Sequence, residues 1–352
     1  MPAPTPLRRP KLKTGLVRLR RGPATVQFGL DPDRAVLVSG LDAALDDFLD
    51  RLDGTVRPAD LARRLRIPAA RVRRLLAELA AADLLEDAAA TADGWDRLPV
   101  TSRDRLAPDL AAATLAHPGP DAGKRALSRR LAAAVQIRGG GRVGATAAAL
   151  LAAAGVGHVH VVDDAVTTPA DLAPGGLRLA ELGQPRGAAA TTVAGEFAAL
   201  PWAPAAPPAL VILADRLPGL GDADDLVRAG TPHLVAALRE TEGVVGPLVL
   251  PFRSSCLHCH HLTRTDRDRA WPHLAAQLAV AGLTAEPRPA DVVLATLVAA
   301  QAALEALSYL DTGHADTVDG TLHLRLPDGA RRRRSWRRHP ACGCAWAERS
   351  AG

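Results

Sequence analysis

Aromatic residues and methionine are scarce in this chain of 352 residues. Phe, Trp and Tyr make up 3% of it, Met and Tyr occur once each, and Cys occurs four times. Long apolar runs are lacking too, because no segment reaches the roughly 18 uninterrupted apolar residues that a membrane span needs. Residues 1–13 also lack the apolar stretch of a signal peptide. We therefore expect a cytoplasmic protein with no membrane partner.

Hydrophobic residues, by contrast, form 48% of the chain and charged residues 23%. This composition excludes a disordered chain, a collagen and a small disulfide scaffold, and the length suggests two domains. The formal net charge is +5, and lysine occurs only at Lys11, Lys13 and Lys124, so that nearly all 43 basic residues are arginine. This bias towards arginine makes the positive charge weak evidence for a nucleic-acid partner.

The first part of the chain predicts a small α+β domain over residues 14–87. Three helical patterns are present, one ending at Gly54 and the others opening at Pro58 and Pro68. They follow alternating apolar runs that predict a three-stranded antiparallel unit, at 16–19, 25–28 and 35–38. The order of elements is typical of a winged-helix-like domain.

The third helix of this domain presents Arg71, Arg73 and Arg74 on its polar face. One interpretation is DNA binding by a winged-helix regulator, and the simpler one is a solvated helix face. The order of three strands and three helices also resembles PqqD-like domains, which hold the leader of a precursor peptide against a strand edge and a helix. Residues 88–125 follow with little periodicity and predict a linker, with a short helix at 109–115.

The pattern changes at residue 131, where a strand, a glycine-rich turn, an alanine-rich helix and a second strand follow in order. The turn 139–144 satisfies G-x-G-x-x-G. Gly139 permits the tight turn, Gly141 lets the backbone approach a phosphate, and Gly144 lets helix and strand pack closely. The second strand ends in Asp163 and Asp164, and an acid at this distance is the expected ribose partner. The alternative is that the glycines serve packing alone and that the nucleotide site is empty.

From the glycine turn onward the sequence resembles the ThiF/MoeB/ubiquitin-activating superfamily. The A-G-V-G at 154–157 and the following Asp163 match its signature, and 183–186 resembles its G-x-P-K segment with Arg186 in the lysine position. The strand that ends in Asp215 resembles the one that carries a magnesium-linked aspartate. The resemblance implies an α/β, Rossmann-like ThiF domain with a mainly parallel sheet at 126–352.

Members of this superfamily bind ATP–Mg and adenylate the C-terminal carboxylate of a peptide or protein. The resemblance therefore implies a nucleotide site, and we assign no catalytic residue. Ala165 replaces the second acid of D-x-D, and Asp171 begins the stretch 171–175 where asparagine and an arginine finger are expected. ATP–Mg binding and adenylation are thus one hypothesis, and a degenerate scaffold is the hypothesis we favour. The candidate nucleotide-binding residues are Gly139, Gly141, Gly144, Asp163, Asp164, Arg186 and Asp215.

The four cysteines form two tightly spaced pairs, Cys256 with Cys259 and Cys342 with Cys344. Two such pairs on loops are typical of a tetrahedral Zn²⁺ site that ties the C-terminal tail to the domain. We therefore predict a structural zinc bound by all four, which leaves no cysteine for a thioester step. Replacement of one thiolate by a neighbouring histidine stays open, as does a second metal site formed by the histidines. Redox chemistry is disfavoured since no helix N-terminus is evident. The neighbouring histidines are His258, His260 and His261.

The segment after Cys259 carries many charges and Trp271. At 262–272 we expect a solvated loop, or one that presents arginines to an acidic peptide. At 331–334 we expect a solvated edge, with stacking on nucleic acid as the alternative. The whole run resembles a subgroup of bacterial ThiF-like proteins with a PqqD-like domain, the leader-binding partners for thiazole/oxazole-modified peptides. That resemblance implies a precursor peptide and a separate YcaO-type cyclodehydratase as partners, and the superfamily implies a homodimer.

Overall fold

A computed structural model describes residues 7–200, 207–219, 221–284 and 289–345. The chain divides into two compact units, Met1–Ser128 and Arg129–Gly352. Each unit has an apolar core of its own, with Phe28 and Phe48 fully buried in the first and Ile137, Leu151 and Ile212 fully buried in the second.

The first unit contains the predicted three-stranded antiparallel sheet and three helices. Its elements are β1 (Pro10–Leu12), β2 (Arg18–Gly22), β3 (Thr25–Phe28), β4 (Val36–Ser39), α1 (Ala43–Asp50), α2 (Pro58–Arg64), α3 (Ala69–Ala81) and β5 (Leu85–Asp87). The strand order is β2-β3-β4, with Val26 opposite Arg20 and Val38. β2 begins two residues later than its predicted run. A second ladder, β1 with β5, joins segments 75 residues apart, and no local pattern predicts it.

The helix starts in this unit follow from their flanking residues. The Asp42 carboxylate accepts a hydrogen bond from the Leu45 N–H at 3.0 Å and so caps α1. Pro58 occupies the first turn of α2, where a missing N–H costs nothing. Pro68 precedes α3 in extended conformation, and the apolar face of that helix buries Leu75 and Leu79. The predicted helix positions are therefore confirmed, with ends moved by one or two residues.

Residues 88–125, predicted as a linker, are mostly helical. They contain a 3₁₀ turn at Trp95–Arg97, α4 (Val100–Ala116) and the start of α5 (Ala122–Ala132). The predicted short helix at 109–115 is therefore too short by ten residues. Alanine-rich helices show little difference in hydrophobicity between their faces, so the sequence pattern is weak. Pro108 lies inside α4, and a proline in a sequence usually indicates the end of a helix. The exact domain boundaries stay a prediction.

The second unit is an α/β fold with a mixed seven-stranded sheet. The four strands β7, β6, β8 and β9 are mutually parallel, and the sheet order is β12-β11-β10-β9-β8-β6-β7. The predicted fold class is confirmed. The elements are β6 (Ala134–Arg138), α6 (Arg142–Ala153), β7 (His158–Val162), α7 (Arg186–Gly195), β8 (Leu210–Asp215), α8 (Asp224–Arg228), β9 (His233–Arg239), β10 (Glu242–Val249), α9 (Leu257–Arg267), α10 (Trp271–Thr284), α11 (Val292–Thr312), β11 (Gly320–Arg325) and β12 (Ala330–Ser335).

Two apolar helices, α6 and α11, cover one face of this sheet. Alanines form most of their buried faces, so the helix axes approach the strands closely. By length and composition α11 is apolar enough to cross a membrane. Its inner face, however, packs Leu294 and Val298 into the sheet core with almost no exposure. A buried core helix can have the same length and apolar composition as a membrane span, so α11 alone is weak evidence for one.

Candidate functional site

The glycine turn lies at the carboxyl ends of β6, β7 and β8, where nucleotides bind in folds of this class. β6 leads into Gly139, and α6 begins at Arg142. The C-terminal end of α6 passes into Gly155, whose φ of +92° is the left-handed conformation expected of a helix-ending glycine. The predicted strand–turn–helix–strand unit is therefore present.

Each predicted turn glycine has a close neighbour inside the protein. A Cβ on Gly139 would lie 2.7 Å from the Ala214 carbonyl oxygen, and Gly139 itself has a φ of +110°. A Cβ on Gly144 would lie 1.9 Å from the Gly139 carbonyl oxygen, so this glycine permits close contact between helix and strand end. A Cβ on Gly141 would lie 2.8 Å from the Asp215 carboxylate. At the phosphate-approach position, the turn thus faces a carboxylate of the same chain.

Asp215 ends β8 and binds the N-terminus of α6. Its carboxylate accepts hydrogen bonds from the Gly141 N–H at 2.8 Å and the Val143 N–H at 3.0 Å. These are amides that a helix N-terminus would offer to a phosphate. The carboxyl group is enclosed by the turn, and this burial raises the pKa of Asp215 even though the two amides act in the opposite direction. Asp215 thus occupies an anion position of the glycine turn.

Asp163, at the end of β7, is bound from four directions. One oxygen accepts from the Gly140 N–H at 2.7 Å and Arg186 Nε at 2.9 Å, and the other from the Ala165 N–H and Arg186 Nη2. A carboxylate has about four lone-pair positions, and all of them have partners here. Burial acts to raise the pKa of Asp163, but the Arg186 guanidinium and the amides outweigh it and hold that pKa below its usual value.

Arg186, the residue in the lysine position of G-x-P-K, begins α7 and joins two acids. Besides Asp163 it binds Asp171, whose carboxylate lies 2.8 Å from Arg186 Nη1. Asp171 stands where the superfamily resemblance expects asparagine, and it was absent from the predicted nucleotide-binding residues. Its other oxygen accepts from the Thr168 N–H and hydroxyl, both at 2.8 Å, so the segment is held rigidly. The only sequence signal for this ion pair is the aspartate itself, which could pair with Arg186.

The predicted nucleotide residues therefore come together, with one exception. Asp164 is exposed, and its side chain makes no hydrogen bond or ion pair with the described part of the chain. The charges of the cluster are one guanidinium, Arg186, and three carboxyl groups, those of Asp163, Asp171 and Asp215. The site is thus acidic before any ligand enters, which favours a cation over an unaccompanied polyphosphate.

The four cysteines form a second, separate cluster in this unit. All four thiols are unoxidised and buried, and their sulfur atoms lie within 4.8 Å of one another. Cys256 Sγ is 3.7 Å from Cys259 Sγ and 3.6 Å from Cys342 Sγ, and Cys259 Sγ is 3.4 Å from Cys344 Sγ. Zinc–sulfur distances of about 2.3 Å in a tetrahedral site correspond to sulfur–sulfur edges of about 3.8 Å. The donor set and spacing therefore fit one zinc ion.

Electrostatics inside the cluster point to the same ligand. Sharing of a hydrogen bond with Cys259, together with burial, raises the pKa of Cys256, while the Cys259 pKa is lowered to about 4 by the same bond. Burial and the neighbouring thiols raise the pKa of Cys344 to about 12. Four thiolates this close repel one another, and a divalent cation removes that penalty.

The local structure around the cysteines differs from the prediction in two ways. The pairs do not lie on simple loops: Cys256 caps α9, Cys259 lies in its first turn, and Cys344 lies in a 3₁₀ turn. A helix N-terminus is thus present at C-x-x-C, so the sequence-based reason for disfavouring redox chemistry does not hold. Residues 262–272 are also largely helical, within α9 and α10, where a loop was expected.

The neighbouring histidines do not join the sulfur cluster. The His260 ring stacks on Trp336 at 4.1 Å between centroids, and its Nε2 faces the Ser255 hydroxyl at 3.3 Å. His261 Nδ1 accepts a hydrogen bond from the Trp271 indole N–H at 3.1 Å. His258 is exposed. Among the described residues, the metal-ligating group consists of the cysteines alone.

Sequence comparison finds one family model that matches the segment carrying this geometry. The sequence model of the ThiF family matches residues 116–199, which include the glycine turn, Asp163 and Arg186. No curated protein matches the chain by sequence.

Solved structures share a similar fold with nearly the whole chain. MccB from E. coli with succinimide aligns with a TM-score of 0.69 at 13% identity, covering 96% of this chain and 99% of that one. MccB from E. coli with AMPCPP and MccA aligns at 0.68 and 12%, again over 96% and 99%. PaaA aligns at 0.67 and 16%, over 92% of this chain and 99% of PaaA. Identities this low show the fold alone.

Proposed function

We propose that this ThiF-type protein binds the leader of a precursor peptide and presents the peptide to a separate YcaO-type cyclodehydratase. In this proposal the nucleotide site is degenerate. The observation that carries the proposal is that the chain's own carboxylates fill the anion positions of the glycine turn. The MccB structure with MccA supports a peptide ligand, because MccA is a precursor peptide.

Charge and hydrogen bonding argue against a tightly bound nucleotide. ATP places negative phosphates at the start of the helix, and here the Gly141 and Val143 amides already bind Asp215. The single guanidinium, Arg186, is neutralised by two acids. Adenylation needs cationic groups to stabilise departing pyrophosphate, and the described cluster has no such group to spare.

The first unit supports a peptide-binding role. Its three-stranded sheet has β2 and β4 as edge strands, and an edge strand pairs with an extended peptide through main-chain hydrogen bonds. Leu19 and Leu37 lie on the outer face, 42% and 51% exposed, and both stand opposite Gln27 in the register. Exposed apolar side chains on a sheet face are suited to peptide side chains. Of the α3 arginines, Arg71 is paired with Asp42, which weakens the case for DNA binding.

A second candidate function, ATP-dependent activation of a peptide carboxylate, has one observation in its favour. Asp163, Asp171 and Asp215 converge at the carboxyl ends of the parallel strands, and such carboxylates are hard ligands of the type that Mg²⁺ prefers. MccB is seen with AMPCPP, an ATP analogue. In this alternative Asp215 would leave the turn when ATP–Mg enters.

Isothermal titration of the full chain with ATP–Mg separates the two functions. We expect no heat of binding at micromolar protein, and no pyrophosphate exchange with the precursor peptide present. The same chain should bind a synthetic leader peptide of the precursor encoded beside it. Micromolar ATP–Mg binding with peptide-dependent exchange would overturn the scaffold proposal and establish the enzyme. A neighbouring gene for a YcaO-type protein would support the assigned partner.

A further inference from the structure

The antiparallel half of the sheet carries uncompensated arginines on one face. In β11, Leu322 and Leu324 face the core with α11, so Thr321 and His323 face the other side. Residues directly opposite in antiparallel strands share a face. Arg332 pairs with His323 and Arg334 with Thr321, which places both arginines on the face away from α11. We call this surface the basic face.

The two arginines that alternate with Arg332 and Arg334 along β12 do have an acidic partner. Arg331 and Arg333 pair with the residues facing the core and both bind Asp316, at 2.9 and 3.0 Å. Arg332 and Arg334 have no ion pair or hydrogen bond to any side chain that the structure describes. Along these four consecutive arginines, two that share one acid thus alternate with two that have no acid among the described residues.

A third unneutralised arginine, Arg264, comes from α9. Its guanidinium carbon lies 4.9 Å from the ring centre of Trp271 and 5.2 Å from that of Trp336. Burial, with help from the charges of Arg239 and Arg334, lowers the pKa of Arg264. Within the described ranges no carboxylate binds it. Aromatic rings on its faces hold the guanidinium in place and leave its N–H edge to bind a carboxylate in two-pronged fashion.

The nearby acid, Glu242, is already fully engaged. It binds Arg239 and lies 2.9 Å from Arg325 Nε and 3.2 Å from His323 Nδ1. Burial acts against ionisation, yet these arginines lower the pKa of Glu242 to about 2. One carboxylate thus serves two arginines, and three more arginines share the same side of the sheet. The basic face therefore has a clear excess of positive charge.

We propose that the basic face binds an extended acidic peptide segment, whose carboxylates pair with Arg264, Arg332 and Arg334. β12 ends the sheet, so its outer edge offers backbone groups to an added strand. Alternate side chains of an extended peptide repeat every ~7 Å on one side, matching two arginines at alternate positions. The proposal rests on the proposed function in taking a peptide as ligand, but it concerns the second unit and a second contact surface.

Edge protection and nucleic-acid binding each account for fewer of these residues than an acidic peptide does. Charged residues on an edge strand protect it from unwanted pairing, which explains 331–334 but not the half-buried Arg264. A nucleic acid would need exposed aromatic rings for stacking on its bases. Trp336, however, is 6% exposed, stacks on His260 and donates its N–H to the Thr321 hydroxyl. An acidic peptide makes use of the guanidinium edges alone.

Fluorescence anisotropy with the full chain tests this proposal. The probe is a labelled decapeptide of alternating Glu and Ser, and the neutral control replaces Glu by Gln. We expect the acidic peptide to bind, to bind more weakly as salt rises, and to lose about tenfold in affinity with Arg332→Ser/Arg334→Ser. Arg331→Ser/Arg333→Ser removes the same charge and should change affinity less than about twofold. Arg264→Gln should resemble the first double variant.

Three results would overturn the proposal. These are equal losses in both double variants, equal binding of acidic and neutral peptides, and tighter binding of a ten-nucleotide oligothymidine than of the acidic peptide. Thermal unfolding and zinc content of each variant show that it is folded. Failure of the proposed function is seen separately, as ATP–Mg binding and pyrophosphate exchange, which this assay does not measure.

Discussion

Replacement of Asp215 tests whether the chain's own carboxylate holds the glycine turn. Asp215→Ala leaves the Gly141 and Val143 amides without their acceptor. A buried donor left unsatisfied costs about 1–3 kcal/mol, while removal of the carboxylate relieves the cost of burying its charge. Water entering the vacated space recovers part of the loss. We expect a net loss of about 2 kcal/mol in the free energy of unfolding at pH 7.

Asp215→Asn separates the charge from the hydrogen bonds. The amide oxygen still accepts from the turn, so we expect a loss below about 1 kcal/mol. Burial raises the pKa of Asp215 above 3.8, so the folded chain holds this proton more tightly than the unfolded chain. Its contribution to stability is therefore complete below pH 3.8 and declines as pH rises through the folded-state pKa. Asp215→Asn should flatten this part of the pH profile.

Urea unfolding followed by circular dichroism between pH 4 and 8 measures both effects. Asp164→Asn is the matched control, because Asp164 is an exposed neighbouring acid without a hydrogen bond in the described part of the chain, and it should leave stability unchanged. If Asp215→Ala were as stable as the unmodified chain at pH 7, burial of the carboxylate would cost as much as its hydrogen bonds provide. The conclusion that Asp215 makes a net stabilising contribution to the turn would then be wrong.

Three further changes test the rest of the structure. Cys342→Ser should abolish the one zinc per chain expected by plasma mass spectrometry, whereas substitution of the exposed His258 by Ala should retain it; a metal-free unmodified chain would refute the zinc site. Arg186→Gln leaves two carboxylates unpaired and should cost about 2–4 kcal/mol, seen as a lower melting temperature at pH 7; the loss should shrink as pH falls through the lowered pKa of Asp163. Gly144→Ala sets a Cβ 1.9 Å from the Gly139 carbonyl oxygen and should prevent stable folding. Gly195→Ala, with open space around the new Cβ, should be neutral or stabilise by up to about 1 kcal/mol. Equal melting temperatures for the two variants would contradict the close contact at Gly144.

The sequence alone was sufficient wherever the signal is local. Proline and aspartate at helix starts, glycines at tight turns and alternating apolar residues act on the chain within a few positions, so the first three helices and the β6–α6–β7 unit were predicted nearly in place. The alanine-rich α4 was not, because its residues give no contrast between faces and Pro108 suggested a break. The loop predicted after Cys259 was wrong as well, since the helix there depends on packing around Trp271.

Partners that meet across long separations depend on the tertiary structure. Sequence spacing predicted the four-cysteine site because thiol pairs have few other uses, although the pairs lie 85 residues apart. Nothing in the sequence showed that Asp215, 74 residues from Gly141, binds the glycine turn itself, or that Asp171 neutralises Arg186. Local sequence determined that an anion-binding turn forms, because backbone conformation depends on adjacent residues. Only the packing of β8 beside β6 decided which anion occupies it, because a carboxylate reaches those amides only when the sheet brings the two strand ends together.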